Sequence, residues 1–159
     1  MNEILKLLEE NARYTNEEIA VMLGLTPAEV AAQVARLEQE GIIKGYKVIL
    51  NREKLSEEHV SAIIELRVTP KRDFGFDEIA EKIAEYPEVE DVYLMSGGYD
   101  LALMISGRTF KDIALFVSQR LAPLDSVIST ATHFVLSTYK EKGVAIRTAP
   151  ADERSNASL

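Results

Sequence analysis

The chain has 159 residues, no cysteine and a formal charge of −8, which suits one ordinary domain or two small ones and leaves neither a disulfide framework nor a thiolate metal site. With 47% hydrophobic residues it can bury roughly two thirds of its unfolded surface, yet no apolar run approaches the roughly 18 residues of a membrane span. The acidic, helix-patterned start MNEILKLLEENAR does not suit a secretory signal, so a cytoplasmic protein is expected, and the acidic balance does not by itself advertise affinity for nucleic acid.

Ile4, Leu5 and Leu8, with Leu7 beside them, form the apolar stripe of a first helix ending near Asn11. TNEE follows, in which Thr15 is the N-cap and Glu18 completes a capping box. Ile19, Ala20 and Leu23 line the inner face of a second helix, and Gly24 stands where a left-handed residue is needed to end it. TPAE repeats the start signal: Thr26 caps, Pro27 takes the first helical position and Glu29 closes the box. Val30, Ala31, Val34 and Leu37 give the third helix its apolar side, and Gly41 stops it. Two helices joined by so short a turn, with a supporting helix before them, predict a helix-turn-helix. IIKGYKVIL then reads as strand with Gly45 as a bend, either a small wing or a strand leading out of the domain. The charged NREKLSEEH, residues 51–59, is the expected linker between domains at 1–50 and 60–142.

Val60, Ala62, Ile64, Leu66 and Val68 alternate with mixed neighbours and predict a strand, and KRDFGF reads as a loop. Phe76, Ile79, Ala80 and Ile83 share one helix face, closed by Pro87. Val92–Met95 and Leu101–Ile105 flank the glycines of SGGYD, a hairpin signal. Thr109 with Asp112 starts another helix, striped by Phe110, Ile113, Ala114, Val117 and Leu121 and ended by Pro123. Val127 to Tyr139 reads as a final long strand rich in Ser and Thr. This order predicts an α+β chain whose second domain is a ferredoxin-like βαββαβ sandwich. Two helices would cover one face of its sheet, and the other, still carrying apolar residues, would want a second copy as partner. Residues 143–159 show no period and are expected to be a flexible tail.

A helix-turn-helix followed by EGIIKGYKVILNREKL, and then a βαββαβ domain with GGYD in its central hairpin, resembles the Lrp/AsnC, or feast/famine, transcription regulators. The resemblance spans roughly Ile4 to Lys142. It implies an N-terminal winged helix-turn-helix domain and a C-terminal effector-binding (RAM) domain. The partners it implies are double-stranded DNA and a small-molecule effector, an amino acid or related metabolite. It further implies a homodimer formed through the C-terminal sheet, often ringed into an octamer, with the effector bound between dimers near the hairpin glycines. Members of this family commonly carry several more residues ahead of the first helix, and these help join the two DNA-binding domains; looser arms are expected here.

The hairpin admits two readings. In one, Gly97 and Gly98 supply positive φ for a tight turn and Tyr99 and Asp100 merely end it. In the other, the glycines let a ligand approach bare backbone, Asp100 takes an α-ammonium group and Tyr99 walls the pocket. The resemblance favours the second, so the candidate effector-binding residues are Met95, Ser96, Gly97, Gly98, Tyr99 and Asp100, joined by Thr130 and Thr132, with Ser129 beside them, from the last strand. Ordinary strand propensity is the plainer account of those three. His133 is placed on the strand face of Val127, Ala131 and Val135 and reads as a satisfied structural histidine.

If the third helix enters the major groove, its outward side carries Ala28, Glu29, Ala32, Gln33 and Arg36. Gln33 suits adenine, Arg36 suits guanine, and Ala28 and Ala32 suit thymine methyls. Thr26 stands at the helix start, while Lys44 and Lys47, with Arg13, would serve phosphates. The charge is thin: Lys6, Arg13, Arg36, Lys44, Lys47 and Arg52 face Glu3, Glu9, Glu10, Glu17, Glu18, Glu29, Glu38 and Glu40, a net −2 for residues 1–52. Family members usually carry more Arg or Lys on this helix, although an oligomer multiplies weak contacts. The alternative is a metabolite-sensing oligomer acting through protein contacts. Enzyme chemistry finds no constellation, because the two histidines lie in different elements and neither HExxH nor GxSxG occurs. No catalytic residue, cofactor or metal is therefore expected. Sirohaem decarboxylases share the two-domain plan, but KGYKVILN lacks the double-arginine character expected of them.

Overall fold

The computed structural model describes residues 2–70 and 75–147. The chain divides into two compact units, Met1–Val48 and Ile49–Leu159.

The first unit consists of α1 (Glu3–Glu10), α2 (Asn16–Leu23) and α3 (Pro27–Gln39). Each helix starts where a side chain takes up an amide that has no partner within the helix. Asn2 Oδ1 accepts from Ile4 N–H at 2.9 Å. Thr15 and Glu18 form one reciprocal capping box, and Thr26 and Glu29 form another. Gly24 ends α2 at φ 67°, the left-handed geometry expected of it. The axes of α2 and α3 differ by 109°, inside the roughly 90–120° of a helix-turn-helix. Ile4, Ile19, Ala20 and Val30 are buried at the junction, and Leu7, Leu8, Tyr14, Leu23, Leu25 and Val34 pack around them.

Beyond Gly41 the expected strand does not form: Ile42 and Ile43 donate back to Leu37 O, and residues 43–50 join no ladder. Extended backbone becomes strand only beside a partner edge, and none of the described residues supplies one to this segment.

The second unit opens with a 3-10 turn, Arg52–Lys54, inside the stretch expected to be linker. Its strands β1 (Val60–Val68), β2 (Val89–Leu94), β3 (Leu101–Gly107) and β4 (Val127–Phe134) make one antiparallel sheet in the order β2-β3-β1-β4. α4 (Asp77–Ala84) joins β1 to β2, and α5 (Phe110–Phe116) joins β3 to β4 through a π turn at Val117–Leu121. This is the ferredoxin-like βαββαβ arrangement. Ala62, Ile64, Leu66, Leu101, Leu103 and Ile105 point to one face and are packed by Ile79 and Ile83 of α4 and by Ile113 and Phe116 of α5. Strand alternation puts Ile63, Glu65 and Arg67, with Ala102, Met104, Tyr93, Ala131 and His133, on the bare face.

Four expectations need correction. The last strand ends at Phe134 instead of running to Tyr139, because β1 begins at Val60 and offers one further bond, from Val135 N–H to Ser61 O at 2.9 Å. Residues 143–147 are not a loose tail: β5 (Lys140–Glu141) pairs with β6 (Val144–Ala145) across Lys142 and Gly143, both at positive φ. Asn51 Nδ2 donates to Ile146 O at 3.1 Å and Arg147 pairs with Glu53 at 3.0 Å, which hold this hairpin down. Residues 148–159 and the loop residues 71–74 lie outside the described residues. His133 does not share a face with Val127, because a bulge at Ile128 shifts the β1–β4 register. Its side chain is 56% exposed and lies 3.5 Å from Glu65 Oε1. Finally, the bare sheet face, expected to carry apolar residues and to want a partner, is mixed, with Ile63 and Tyr93 exposed beside charged Glu65 and Arg67.

Candidate functional site

Two sites follow from the sequence, one in each unit. On α3, Ala28, Glu29, Ala32 and Arg36 are exposed as expected, but Gln33 is half-buried. Residue spacing explains this, since Gln33 sits at the margin of the outward stripe while Ala35 and Gln39 fall on the same side as Ala28 and Ala32. Both are exposed, and a full turn-by-turn count of the helix would have found them.

None of the three charged side chains on α3, Glu29, Arg36 and Glu38, is idle. Glu29 accepts from Thr26 N–H at 2.8 Å and Thr26 Oγ1 at 2.7 Å, and these two hydrogen bonds hold its carboxyl below the usual carboxylate value. Its charge is thereby committed to the helix start, where the dipole favours it. Arg36 Nε donates to Glu40 Oε1 at 2.7 Å with a side chain 76% exposed, and that bond with its attendant charge raises the guanidinium pKa. Turning Arg36 fully towards a base or phosphate exchanges this single Nε bond with Glu40. An exposed pair of this kind is worth little, so the exchange is inexpensive. Lys44 and Lys47 are exposed, with the Lys44 ammonium lying back over Gly41 at the end of α3. Tyr46 donates its hydroxyl to Glu38 at 3.0 Å.

The hairpin between β2 and β3 is pinned to β1 by three bonds. Asp100 N–H donates to Leu66 O at 2.9 Å, and Asp100 Oδ2 accepts from Val68 N–H at 2.9 Å. Arg67 Nε donates to Gly98 O at 3.0 Å. Met95 N–H closes the turn on Asp100 O at 2.8 Å. The β1–β3 ladder ends at Leu66–Leu101, so the Asp100 carboxylate satisfies an amide that the backbone of β3 no longer reaches. One of its oxygens is therefore structural; the other, Oδ1, has no hydrogen bond among the described residues.

The two glycines differ. Gly97 has φ 152°, a conformation that L side chains rarely adopt, whereas Gly98 does not have positive φ and has open space where a Cβ would stand. Only Gly97 is required by the turn. Met95, Ser96, Gly97 and Gly98 are exposed and Tyr99 is half-buried. Thr130 and Thr132 pair with Leu66 and Ile64, so both lie on the helix-covered side of the edge strand. Ser129, opposite Arg67, lies on the bare face. The fold thus brings Asp100, Gly98, Arg67 and Ser129 to one end of the sheet and leaves Thr132 further down it. Arg67 was missed by sequence reasoning because nothing local distinguishes it from any strand arginine.

A groove of about 1040 Å³ runs along the bare face, lined by Leu50, Leu55, Tyr93, Met104 and Leu136 among others, and the hairpin residues 95–100 do not line it. His59 lies there, its Nε2 2.9 Å from Ser61 Oγ; burial, followed by the charge of Arg52, pushes its pKa below the usual histidine value. Among the described residues no three His, Asp or Glu side chains converge on a metal-sized site, and no single helix is long and apolar enough to cross a membrane.

The Lrp/AsnC ligand binding domain model matches residues 61–145, more than half of the chain, and a winged helix-turn-helix DNA-binding model matches residues 2–44. The chain belongs to the Lrp/AsnC family. It is 47% identical over 153 residues to the uncharacterized HTH-type transcriptional regulator YugG of Bacillus subtilis (strain 168), covering 96% of this chain and 92% of that one. It is 33% identical over 137 residues to the HTH-type transcriptional regulator LrpA of Pyrococcus horikoshii, covering 86% and 94%. Among solved structures, a transcriptional regulator–L-Met complex from Neisseria meningitidis superposes with a TM-score of 0.71 at 25% identity, covering 89% of this chain and 93% of that one. As a member of the Lrp/AsnC family the chain is a DNA-binding transcriptional regulator with a ligand-binding domain, and not an enzyme. These likenesses lend nothing to a sirohaem decarboxylase or to a helix-turn-helix kept only for protein contacts.

Proposed function

We propose that this regulator binds operator DNA through α3 and that an amino acid, bound at the 95–100 hairpin, modulates its activity or assembly. The observation that carries the reading is the pinned hairpin: three bonds to β1 hold a glycine-bearing turn in place while Gly97 and Gly98 stay exposed and one oxygen of half-buried Asp100 keeps no hydrogen bond among the described residues. Rigid placement of a few polar groups is what a small-molecule site requires. The Neisseria relative, solved with L-Met, supports an amino acid as the ligand class. On the DNA side, Ala28, Ala32 and Ala35 suit thymine methyls, Arg36 suits guanine once released from Glu40, Gln33 suits adenine from the helix margin, and Thr26, Lys44 and Lys47 serve the phosphates.

Self-association accompanies this reading. Ile63, Tyr93, Met104 and Ala131 offer apolar patches on the bare sheet face to a second copy, and further pairing of dimers to an octamer would bring hairpins against neighbouring chains. A dimer also doubles the few basic contacts each α3 offers. Such a protein works in the cytoplasm, where it meets chromosomal DNA. A salt titration of binding to the gene's own upstream DNA tests the first half: each phosphate contact lowers the slope of log K against log salt by about 0.9. Absence of any salt-sensitive complex at low ionic strength removes the reading. A melting-temperature screen of L-amino acids tests the second, since a true effector at about 100 times its Kd adds roughly 2.7 kcal/mol of stability.

A further inference from the structure

Arg67 stands where both strands beside β1 depart from a regular ladder. On the β3 side, pairing stops at Leu66 and the Asp100 side chain takes over at Val68. On the β4 side, the bulge at Ile128 interrupts the register between Arg67 and Val68. Bulges concentrate beside functional sites because they re-aim a side chain. Beside this bulge, on the regular strand β1, Arg67 presents an exposed guanidinium on the bare face, its Nε fixed to Gly98 O at 3.0 Å. Its two terminal nitrogens make no hydrogen bond among the described residues. Glu65, the nearest acid along the same face of the strand, is turned towards His133 at 3.5 Å. The result is a pre-oriented cationic fork, held at the mouth of the turn, with both prongs open.

We propose that Arg67 anchors the carboxylate of the effector and so sets the chemical class of ligand that the hairpin accepts. This rests on the reading of residues 95–100 as the effector site. A guanidinium presents two parallel N–H donors that match a carboxylate, and the bond to Gly98 already restricts its rotamers. Ser129, opposite Arg67 across the β1–β4 pair, adds a hydroxyl on the same face. Asp100 Oδ1, which has no hydrogen bond among the described residues, is available in the same turn as an acceptor for an ammonium group. A zwitterion thus finds one charged partner for each of its ends, and Arg67 connects carboxylate occupancy directly to the turn backbone.

The test uses the full chain. The twenty protein L-amino acids are screened by melting temperature, and the strongest binder is titrated calorimetrically beside its own carboxamide, which keeps the ammonium and loses the negative charge. The unaltered chain should prefer the acid at least tenfold. Arg67→Gln should weaken the acid by about that factor and leave the amide within twofold, and Arg67→Lys should fall between. If Arg67→Gln keeps the preference for the acid, the proposal is wrong while the effector site stands. Equal weakening of acid and amide also overturns it, because Arg67 then only supports the turn. If no amino acid binds the unaltered chain, the effector reading fails and takes this one with it.

Discussion

The two units are held by different means. In the helix-turn-helix unit the fully buried set is small, essentially Ile4, Ile19, Ala20 and Val30, and three side-chain caps begin its three helices. In the ligand-binding unit the core is a continuous cluster from the inner face of the sheet and both helices, including Ile64, Leu66, Leu103 and Ile113. Its hairpin is fixed by bonds between distant residues. The contrast teaches that local signals carry much of the first unit, whereas the second depends on contacts that only the completed sheet makes. The capped unit should therefore tolerate single changes in small steps and the sheet unit should respond in large ones.

The largest expected effect sharpens this. Ile64→Ala, at a fully buried position between β3 and β4, should cost about 2–5 kcal/mol in chemical denaturation. A loss below about 1 kcal/mol would break the contrast. Asp100→Ala should follow at about 1–3 kcal/mol, because it strands the Val68 amide. Hydrogen exchange at Val68 reads it directly, and an unchanged protection factor would count against the structural role. Next come the two glycines: Gly97→Ala should cost about 1–3 kcal/mol from its backbone conformation. Gly98→Ala, with open space and no positive φ, should change stability by no more than about 0.5 kcal/mol. In the first unit, Thr26→Ala should cost about 1 kcal/mol.

The smallest effect is the pH dependence at that same cap. The Glu29 carboxyl is lowered by hydrogen bonds from Thr26, so its folded pKa lies below the unfolded 4.5. Its contribution is fully present above 4.5 and is lost as the pH falls through the lower folded value. NMR titration of Glu29 should show the depressed value, and Thr26→Ala, which removes the hydroxyl bond and keeps the stronger one from the Thr26 N–H, should return it only part of the way. A Glu29 titration that Thr26→Ala leaves unmoved would detach the cap from the charge.

Much of the architecture was readable before the structure. Thr15, Thr26 and Thr109 each mark a helix start, as expected, because a capping box closes within three residues. The alternation Val60, Ala62, Ile64, Leu66 and Val68 identified the central strand, since its inner face is buried throughout. Other elements escaped. IIKGYKVIL has strand composition but no partner edge among the described residues, so composition misled there. GVAIR lacks a period, yet Lys142 and Gly143 turn it into a hairpin that Asn51 and Glu53 hold. Within the candidate site the sequence pointed to the turn and to Asp100, while the unequal demands on Gly97 and Gly98, and the presence of Arg67, stayed hidden.

Sequence alone determined where helices start, which strand faces are apolar, and that a glycine turn joins β2 to β3. Tertiary structure decided what the turn is attached to. Val68 meets Asp100 across 32 residues, Arg67 meets Gly98 across 31, and Asn51 meets Ile146 across 95. A cap is encoded by neighbours in the chain and can be read from them. A bond between strands exists only after the sheet has chosen its order, its register and the place of its bulge.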